Sequence, residues 1–276
     1  MLQESAIGEL RAPVSVPEWI PLPSRKRNNA YSRRLRTIIM ELIQKRCESG
    51  ESQGDLLDML LVARDEKSGH GMTDEPICDE VIMIFLAGYD TTSLALSWTF
   101  FNLIHNPTVE AKLHYELDTV LDRRQPTLED LRNLPYTEMV FKETSRHQPS
   151  AYFQTRYVYS DVKLGDMLVP KGSTVMFSSY ATHHRDDLWD EPFVYRPERF
   201  ADNAEADWHP FKYFPFSHGP HVCIGKRFAM MEGVLVLATI ARQATIRLAD
   251  PNYVVKPVPR ITFQMSDFPI TVIPRR

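Results

Sequence analysis

The longest helical pattern in the chain runs from about residue 73 to residue 106, and it sets the scale of the fold. Thr73 is a good N-cap residue, and two acidic residues follow it where a helix favours negative charge. Residues 81–87 (VIMIFLA) are apolar on every face, which predicts a buried helix. Roughly 30 residues at 1.5 Å each would cross a whole domain before Pro107 ends the helix. The chain is therefore expected to pack around one long central helix.

The remaining segments predict a mainly helical chain with its sheets in the C-terminal half. Residues 1–30 form a proline-rich connector, in which proline excludes a long helix. Apolar residues at helical spacing predict further helices at about 29–45, 54–66, 108–122, 136–147 and 226–242. Alternating segments bounded by turn residues predict strands at 154–164, 173–178, 253–256, 260–265 and 270–274. The predicted fold class is α+β, mainly α.

Composition and charge narrow the class of protein. The chain has 276 residues, of which 43% are hydrophobic and 25% are charged, and we expect a single domain over residues 1–276. The formal net charge of -4 provides no basic surface for nucleic acid or an anionic membrane. Three cysteines are too few for a disulfide framework, and no segment has the pattern of a secretory signal or a membrane anchor. We therefore expect a soluble, cytoplasmic protein.

The centre of the long helix carries residues that are poor helix formers. Its sequence from 87 to 92 is Ala-Gly-Tyr-Asp-Thr-Thr, and glycine costs about 1 kcal/mol relative to alanine in a helix interior. Such a break in local consistency is expected at a functional site, where glycine admits a ligand and an acid beside a hydroxyl passes protons inward. The alternative is a helix crossing, where glycine only permits close packing.

One cysteine lies in the segment 216–225 (FSHGPHVCIG), directly before a predicted helix. Gly219 and Gly225 allow the chain to turn tightly around Cys223, whose thiolate is then flanked by backbone N–H groups and the positive end of the helix. The wide scatter of the three cysteines argues against a zinc site. One thiolate held in this way suits an axial ligand of haem iron. A buried inert cysteine and a nucleophile paired with histidine remain as alternatives.

Glu143 and Arg146 lie about one helical turn apart in a predicted helix and can form an ion pair. The same E-x-x-R spacing recurs at Glu129 and Arg132, so the spacing alone is weak evidence. Only the pair at 143 and 146 precedes a histidine–glutamine–proline sequence and the predicted strands. Arg199, in the sequence Pro-Glu-Arg-Phe, is a candidate third member of a buried charge network that specifies the structure.

Four motifs in this order resemble the cytochrome P450 family of haem-thiolate monooxygenases. They are AGYDTT in a long helix, ETSR in a later helix, PERF, and FSHGPHVCIG before a final helix. The resemblance extends from about Pro17 to near the end of the chain and has the character of soluble bacterial members. It implies the C-terminal helical core and small sheets of the P450 fold, without the N-terminal part of the family.

The resemblance implies a role for each motif residue. Cys223 would be the proximal thiolate ligand of haem b, with Phe216 against the ring near the sulfur. Asp90 and Thr91 would deliver protons to iron-bound dioxygen. The other residues implied at the cofactor are Ala87 and Gly88 where oxygen binds, Arg156 and His221 at the propionates, and Gly219 and Gly225 in the cysteine loop. Glu143, Arg146 and Arg199 would form the structural network behind that loop.

The function implied is insertion of one atom of O2 into an apolar small-molecule substrate. Electrons would come from NAD(P)H through a ferredoxin or a flavoprotein reductase, and no nucleic acid or membrane anchor is expected. Two alternatives are a truncated haem-binding remnant without turnover and a peroxide-using haem-thiolate enzyme. The chain departs from the family at His221, where many members have arginine, and at Ser145 and His147 beside the ion pair.

Overall fold

The computed structural model describes residues 22–122 and 124–275, without the side chain of Ser24. Two compact units divide these residues, one ending at Asp90 and the other beginning at Thr91. The single domain expected over residues 1–276 stays a prediction. The helices are α1 Pro23–Ser49, α2 Leu56–Val62, α3 Asp74–His105, α4 Pro107–Leu121, α5 Pro135–His147, α6 Ser179–His183 and α7 Lys226–Gln243. Short 3-10 helices cover Leu128–Asn133, Pro197–Asp207 and Gly219–His221.

The strands pair as small antiparallel sheets, and all of those described follow α5. The pairs are β1 Gln154–Tyr157 with β4 Thr174–Phe177, β2 Val162–Leu164 with β3 Met167–Val169, β5 Ala244–Leu248 with β8 Ile270–Pro274, and β6 Pro257–Pro259 with β7 Phe263–Met265. The predicted fold class, α+β and mainly helical with its sheets in the C-terminal half, is confirmed.

The predicted helices agree closely with α3, α4, α5 and α7, whereas α2 is shorter than predicted and α1 is longer. Helix α1 begins at Pro23, within the segment where proline was expected to exclude a long helix. Proline is tolerated in the first helical turn, because an N–H there has no partner within the helix, so Pro23 begins the helix instead of preventing it. The rest of the predicted connector, residues 1–21, lies outside the described residues.

The strand predictions contain errors. The segment 154–164 forms two separate strands, β1 and β2, and residues 253–256 are not a strand. Strands β3, β5 and β6 were not expected, and β6 lies between the predicted segments 253–256 and 260–265. β2 and β3 meet at a turn in which Gly165 has a φ of 59°, a conformation that favours glycine. β5 follows α7 without a loop, so no turn residues separate its short pattern from the helical one.

In the unit that ends at Asp90, α1 packs against the first turns of α3. The buried residues of this contact are Ile39, Ile43, Ile77 and Cys78. Arg36 on α1 pairs with Glu75 at 2.5 Å and also with Asp79, both in the first turns of α3. An apolar contact flanked by exposed ion pairs therefore holds the two helices together.

In the unit that begins at Thr91, the core forms where α4, α5 and α7 pack together. Its fully buried residues include Leu113, Leu117, Leu121, Val140 and Leu237. Gly233 on α7 faces Phe141 on α5, and a Cβ atom at position 233 would overlap with the phenyl ring. The glycine therefore permits the close approach of α5 and α7, which brings the start of α7 and the cysteine loop before it onto this core.

The segment 81–87 of α3 is not buried as its composition predicts. Met83 is 67% exposed, Phe85 is 54% exposed and Leu86 is 41% exposed. Composition shows that every face of this helix is apolar, but the described residues cover only the side where Val81 and Ile82 pack. By length and composition, α3 is also apolar enough to cross a membrane. In its most apolar stretch of 18 residues, 17% of the residues are buried. The core helix of a soluble protein has the same length and composition, so the pattern is weak evidence for a membrane span.

Candidate functional site

The cysteine loop is a short, closed segment that ends at α7. The backbone N–H of Cys223 donates to the carbonyl of Phe216 at 2.9 Å, and the N–H of Ser217 donates to the carbonyl of Phe214 at 3.1 Å. Gly219 has a φ of 73°, a left-handed conformation that glycine adopts without strain. The loop therefore fixes the position of the cysteine backbone directly before the helix.

Gly225 forms the N-cap of α7. Its φ of -82° is open to any residue, and a Cβ atom there would lie 3.8 Å from the Cys223 sulfur, an ordinary contact. The chain does turn tightly here, since the N–H of Lys226 donates to the Cys223 carbonyl at 3.3 Å, and the role of Gly225 in the cysteine loop stays a prediction. The N–H of Ala229 donates to the Gly225 carbonyl at 2.8 Å and begins the helix.

Cys223 is exposed and is not in a disulfide. The alternative that Cys223 is a buried, inert cysteine therefore does not hold. Its neighbours in the sequence and in the first turn of α7 are apolar and exposed as well, with Val222 at 47%, Ile224 at 96% and Phe228 at 61%. Exposed apolar side chains around a thiol are typical of a surface that binds a ligand.

Glu143 and Arg146 form a fully buried ion pair on α5. The guanidinium donates through Nε and Nη2 to the two carboxylate oxygens, at 2.8 Å each. Arg199 approaches the same carboxylate with Nε at 3.5 Å, and the backbone N–H of Arg196 donates to it at 2.9 Å. A buried ion pair is tolerated when further hydrogen bonds satisfy its polar groups, and here Nη1 of Arg146 also donates to the carbonyl of His183 at 2.7 Å. The second E-x-x-R copy, at Glu129 and Arg132, is exposed in a 3-10 helix.

His183 connects this ion pair to Phe214, two residues before the cysteine loop, although no motif in the sequence singled it out. Its Nδ1 donates to the carbonyl of Arg146 at 3.1 Å, and its Nε2 accepts the backbone N–H of Phe214 at 3.0 Å. Burial lowers the pKa of His183 to about 3, so the ring is neutral and both nitrogens are used. The sequence shows two adjacent histidines at 183–184, but nothing in it indicates which of the two rings is buried.

The residues AGYDTT lie in consecutive turns of α3. Ala87 is exposed, and a Cβ atom built on Gly88 would meet no described atom within 4 Å. A tight helix crossing at Gly88, the structural alternative, is therefore not present among the described residues. The carbonyl of Thr91 accepts a hydrogen bond from the hydroxyl of Ser150 at 2.8 Å. Asp90 precedes Thr91 and is half-buried.

The remaining predicted site residues lie on separate elements. Arg156 is in β1, where Nη1 donates to the carbonyl of Thr155 at 2.9 Å and the guanidinium lies 5.3 Å from the ring centroid of Phe177. His221 is exposed at the end of the 3-10 helix in the cysteine loop. The structure thus brings together the loop residues and, separately, the buried charge network, and it holds Arg156 on a different element.

A cavity of about 420 Å³ adjoins the cysteine loop. Loop and α7 residues that line it are Phe216, Ser217, His218, Val222, Lys226 and Met230. On its other side Lys142 bridges Glu138 at 2.8 Å and Glu205 at 2.6 Å. Cys223 is not part of the lining, so this cavity does not open onto the sulfur.

Comparisons with known proteins identify the class. The family model for cytochrome P450 matches residues 5–258, and the chain belongs to the cytochrome P450 family. Cyclooctat-9-en-7-ol 5-monooxygenase from Streptomyces melanosporofaciens is 36% identical over 86% of this chain and 51% of the relative. Pentalenene oxygenase from Streptomyces avermitilis is 33% identical over 87% of this chain and 53% of the relative. The solved structure of the cytochrome P450DA heme domain is 28% identical, with a TM-score of 0.82 over 87% of this chain and 54% of that chain.

The chain therefore spans about half the length of these relatives. Family membership implies haem, and the donor set fits that group. Cys223 offers one sulfur, and the described residues contain no group of three or more His, Cys, Asp or Glu side chains able to hold a bare metal ion. Haem iron brings four ligands of its own and needs one axial ligand from the protein, which matches a single thiolate with exposed apolar neighbours.

Proposed function

We propose that the chain provides the haem-thiolate site of a monooxygenase that oxidises an apolar organic substrate. The observation that carries this proposal is the cysteine loop, which holds one exposed thiol by a backbone hydrogen bond from Cys223 to Phe216 directly before α7. Three groups in this chain would contribute: the loop as ligand, Asp90 and Thr91 as proton carriers, and the Glu143–Arg146 pair as support.

Cys223 would hold haem b through its thiolate, and Phe216, Gly219 and Gly225 belong to the loop that carries the cysteine. Arg156 and His221 would donate to the two propionates, and Ala87 and Gly88 would lie beside the oxygen site. Haem with a thiolate ligand supplies the activation of O2, so that one oxygen atom enters a C–H bond of the substrate and the other leaves as water. The balance requires two electrons and two protons for each O2.

Asp90 and Thr91 would carry those protons. A carboxylate takes up a proton from solvent, and a neighbouring hydroxyl hands one on while receiving another, so the pair moves a proton without a net change in either side chain. Their place in a helix that also carries a glycine supports this role, because Gly88 leaves open space where a Cβ would otherwise stand. The exposed thiol and the half-buried acid are chemically suited to these two different tasks.

Electrons would come from NAD(P)H through a ferredoxin or a flavoprotein reductase. Lys226 and Arg227 are exposed in the first turn of α7, and together they suit an acidic surface on such a partner. We place the protein in the cytoplasm, where the reduced carriers are found. The relatives are named for cyclooctat-9-en-7-ol and pentalenene, which supports an apolar substrate.

The test is incorporation of labelled oxygen. The haem-loaded chain is supplied with NADPH, a ferredoxin and its reductase under ¹⁸O2, with a terpene hydrocarbon or a long-chain fatty acid as substrate. A product that carries one ¹⁸O atom, absent from the haem-free control, supports the proposal. Equal product from hydrogen peroxide alone, unaffected by Thr91→Ala, supports the peroxide-using alternative instead.

A second candidate is haem binding without turnover. It is favoured by the exposed apolar side chains of Met83, Phe85 and Tyr89 on α3, because oxidation of an apolar substrate requires a site from which water is excluded. The same labelling experiment separates the two candidates. A chain that binds haem through Cys223 but forms no labelled product from any substrate would support the second.

A further inference from the structure

Ser150 connects the backbone of α3 to strand β7. Its hydroxyl donates to the carbonyl of Thr91 at 2.8 Å, and its own carbonyl accepts the N–H of Phe263 at 2.9 Å. The carbonyl of Phe263 in turn accepts the indole N–H of Trp98 at 2.8 Å. Trp98 lies about two helical turns after Thr91, so both residues are on the same side of α3. The hydrogen bonds therefore close a ring that begins and ends on one helix.

Aromatic side chains surround this closed set of hydrogen bonds. Trp98 is buried and stacks on Phe263, with ring centroids 5.5 Å apart. Tyr152 and Tyr180 also contact the Phe263 ring, at centroid distances of 5.5 Å and 5.2 Å. These three aromatic contacts hold Phe263 in place, and its N–H links Ser150 to β7.

The same helix is anchored further along by α5 and the residue after it. The hydroxyl of Thr99 donates to that of Thr144 at 3.1 Å, and the amide of Asn102 donates to Gln148 at 2.8 Å. Ser150 follows these residues in the sequence and provides the anchor nearest to the middle of α3. Its hydroxyl joins the backbone of Thr91 to a residue outside α3.

A helix carbonyl ordinarily accepts the N–H four residues later. A carbonyl oxygen has two lone pairs, so a hydroxyl that donates to the same oxygen from outside adds a second bond, which ties this turn of the helix to its neighbour and draws the carbonyl away from the helix axis. We propose that Ser150 is a positioning residue for the Asp90–Thr91 pair, because its hydroxyl sets the backbone of α3 at Thr91 and so the direction in which the pair delivers protons. The chemical consequence rests on the proposed function, whereas the backbone effect does not.

The first experiment measures the backbone effect without haem. Amide hydrogen exchange across residues 91–98 is compared in the parent chain, Ser150→Ala, Ser150→Thr and Ser97→Ala. Ser97 is the matched control, since its hydroxyl donates at 2.8 Å to the carbonyl of Ser93 within the same helix and makes no link to another element through that bond. Exchange is expected to be about fivefold faster in Ser150→Ala, as for one lost hydrogen bond. Ser150→Thr should restore the parent rate, and Ser97→Ala should retain it.

The second experiment measures proton delivery with haem bound. With NADPH, a ferredoxin and its reductase but no substrate, O2 is reduced either to hydrogen peroxide by two electrons and two protons or to two waters by four electrons and four protons. Misdirected proton delivery should raise the peroxide share in Ser150→Ala and in Thr91→Ala, while Ser150→Thr and Ser97→Ala match the parent.

The outcomes separate the two claims. Parent-like exchange in Ser150→Ala overturns the positioning role whatever the haem site does. Faster exchange with a parent-like peroxide share also overturns it, because the backbone would then move without consequence for proton delivery. A parent chain that acquires no thiolate-ligated haem overturns the proposed function, and with it the chemical role of Ser150, while the exchange result still decides whether the serine holds the helix.

Discussion

Arg146 grips Glu143 through two hydrogen bonds of 2.8 Å, and neither side chain has any exposure to solvent. A residue outside α5 also contacts the pair, because Arg146 donates to the carbonyl of His183 at 2.7 Å. The ring of His183 donates back to the carbonyl of Arg146 and accepts the N–H of Phe214, two residues before the cysteine loop. A buried ion pair on α5 is thereby linked through one histidine to the backbone just before the cysteine loop.

Removing one partner of that pair should be severely destabilising. Arg146→Ala leaves the Glu143 carboxylate buried without its main counter-charge, and we expect a loss of about 3–5 kcal/mol in the free energy of unfolding. Urea denaturation measures this loss. Arg132→Ala in the exposed E-x-x-R copy is the matched control and should change stability by no more than about 0.5 kcal/mol. Similar losses in both variants would contradict the assignment of the buried pair.

The two glycines in the helices should respond in opposite directions to alanine. Gly233→Ala places a methyl group against the Phe141 ring, and we expect a loss of about 1–3 kcal/mol from overpacking. Gly88→Ala meets open space and removes a poor helix former, so the haem-free chain should gain up to about 1 kcal/mol. Thermal unfolding of both variants tests the contrast. A stabilising Gly233→Ala would show that α5 and α7 are not as close as described.

Stability should fall as the pH drops below neutrality. The pKa of His183 is lowered from 6.5 to about 3 by burial, so the unfolded chain binds a proton that the folded chain does not. The contribution of this group is complete above pH 6.5 and is lost between that value and about 3, at about 1.4 kcal/mol per pH unit. Urea titrations at pH 7, 6 and 5 should show a shallower loss in His183→Gln. An identical slope in both proteins would mean that this ring is not buried in its neutral form.

Haem should protect one exposed cysteine and leave the other unprotected. Cys223 and Cys47 are both exposed, whereas Cys78 is buried, so iodoacetamide should label the first two in the haem-free chain. Added haem should slow labelling of Cys223 alone, because the thiolate becomes a metal ligand. Mass spectrometry of the labelled peptides gives each rate separately. Equal protection of Cys47 would indicate nonspecific haem binding.

Much of the fold was predictable because its helices are long and strongly periodic. α3 is an example, since its apolar run and the Asn-Pro sequence after it define both its type and its end. Short strands carry too few residues for a period of two to stand out, so β3 escaped prediction and 253–256 was wrongly assigned. The exposure of Met83 and Phe85 was also beyond prediction, because composition shows that a helix face is apolar but not whether another segment packs against it.

The candidate site was predictable where a motif sits in one segment. The cysteine loop and the E-x-x-R pair were recognisable, and neighbouring sequence separated Glu143 from its exposed copy at Glu129. His183 and Ser150 were not recognisable, because each acts through a backbone group far away in the sequence, namely those of Phe214 and Thr91. Such contacts join residues that are far apart in the sequence, so they produce no recognisable motif in either segment.

The central claim is that Cys223 provides the thiolate of a haem site. The most direct measurement is the absorption spectrum of the haem-loaded, reduced, CO-bound chain beside that of Cys223→Ser, with Cys47→Ser as the matched control. We predict a strongly red-shifted Soret band in the parent and in Cys47→Ser that is lost in Cys223→Ser. A parent chain without this band, or a Cys223→Ser variant that retains it, would contradict the claim.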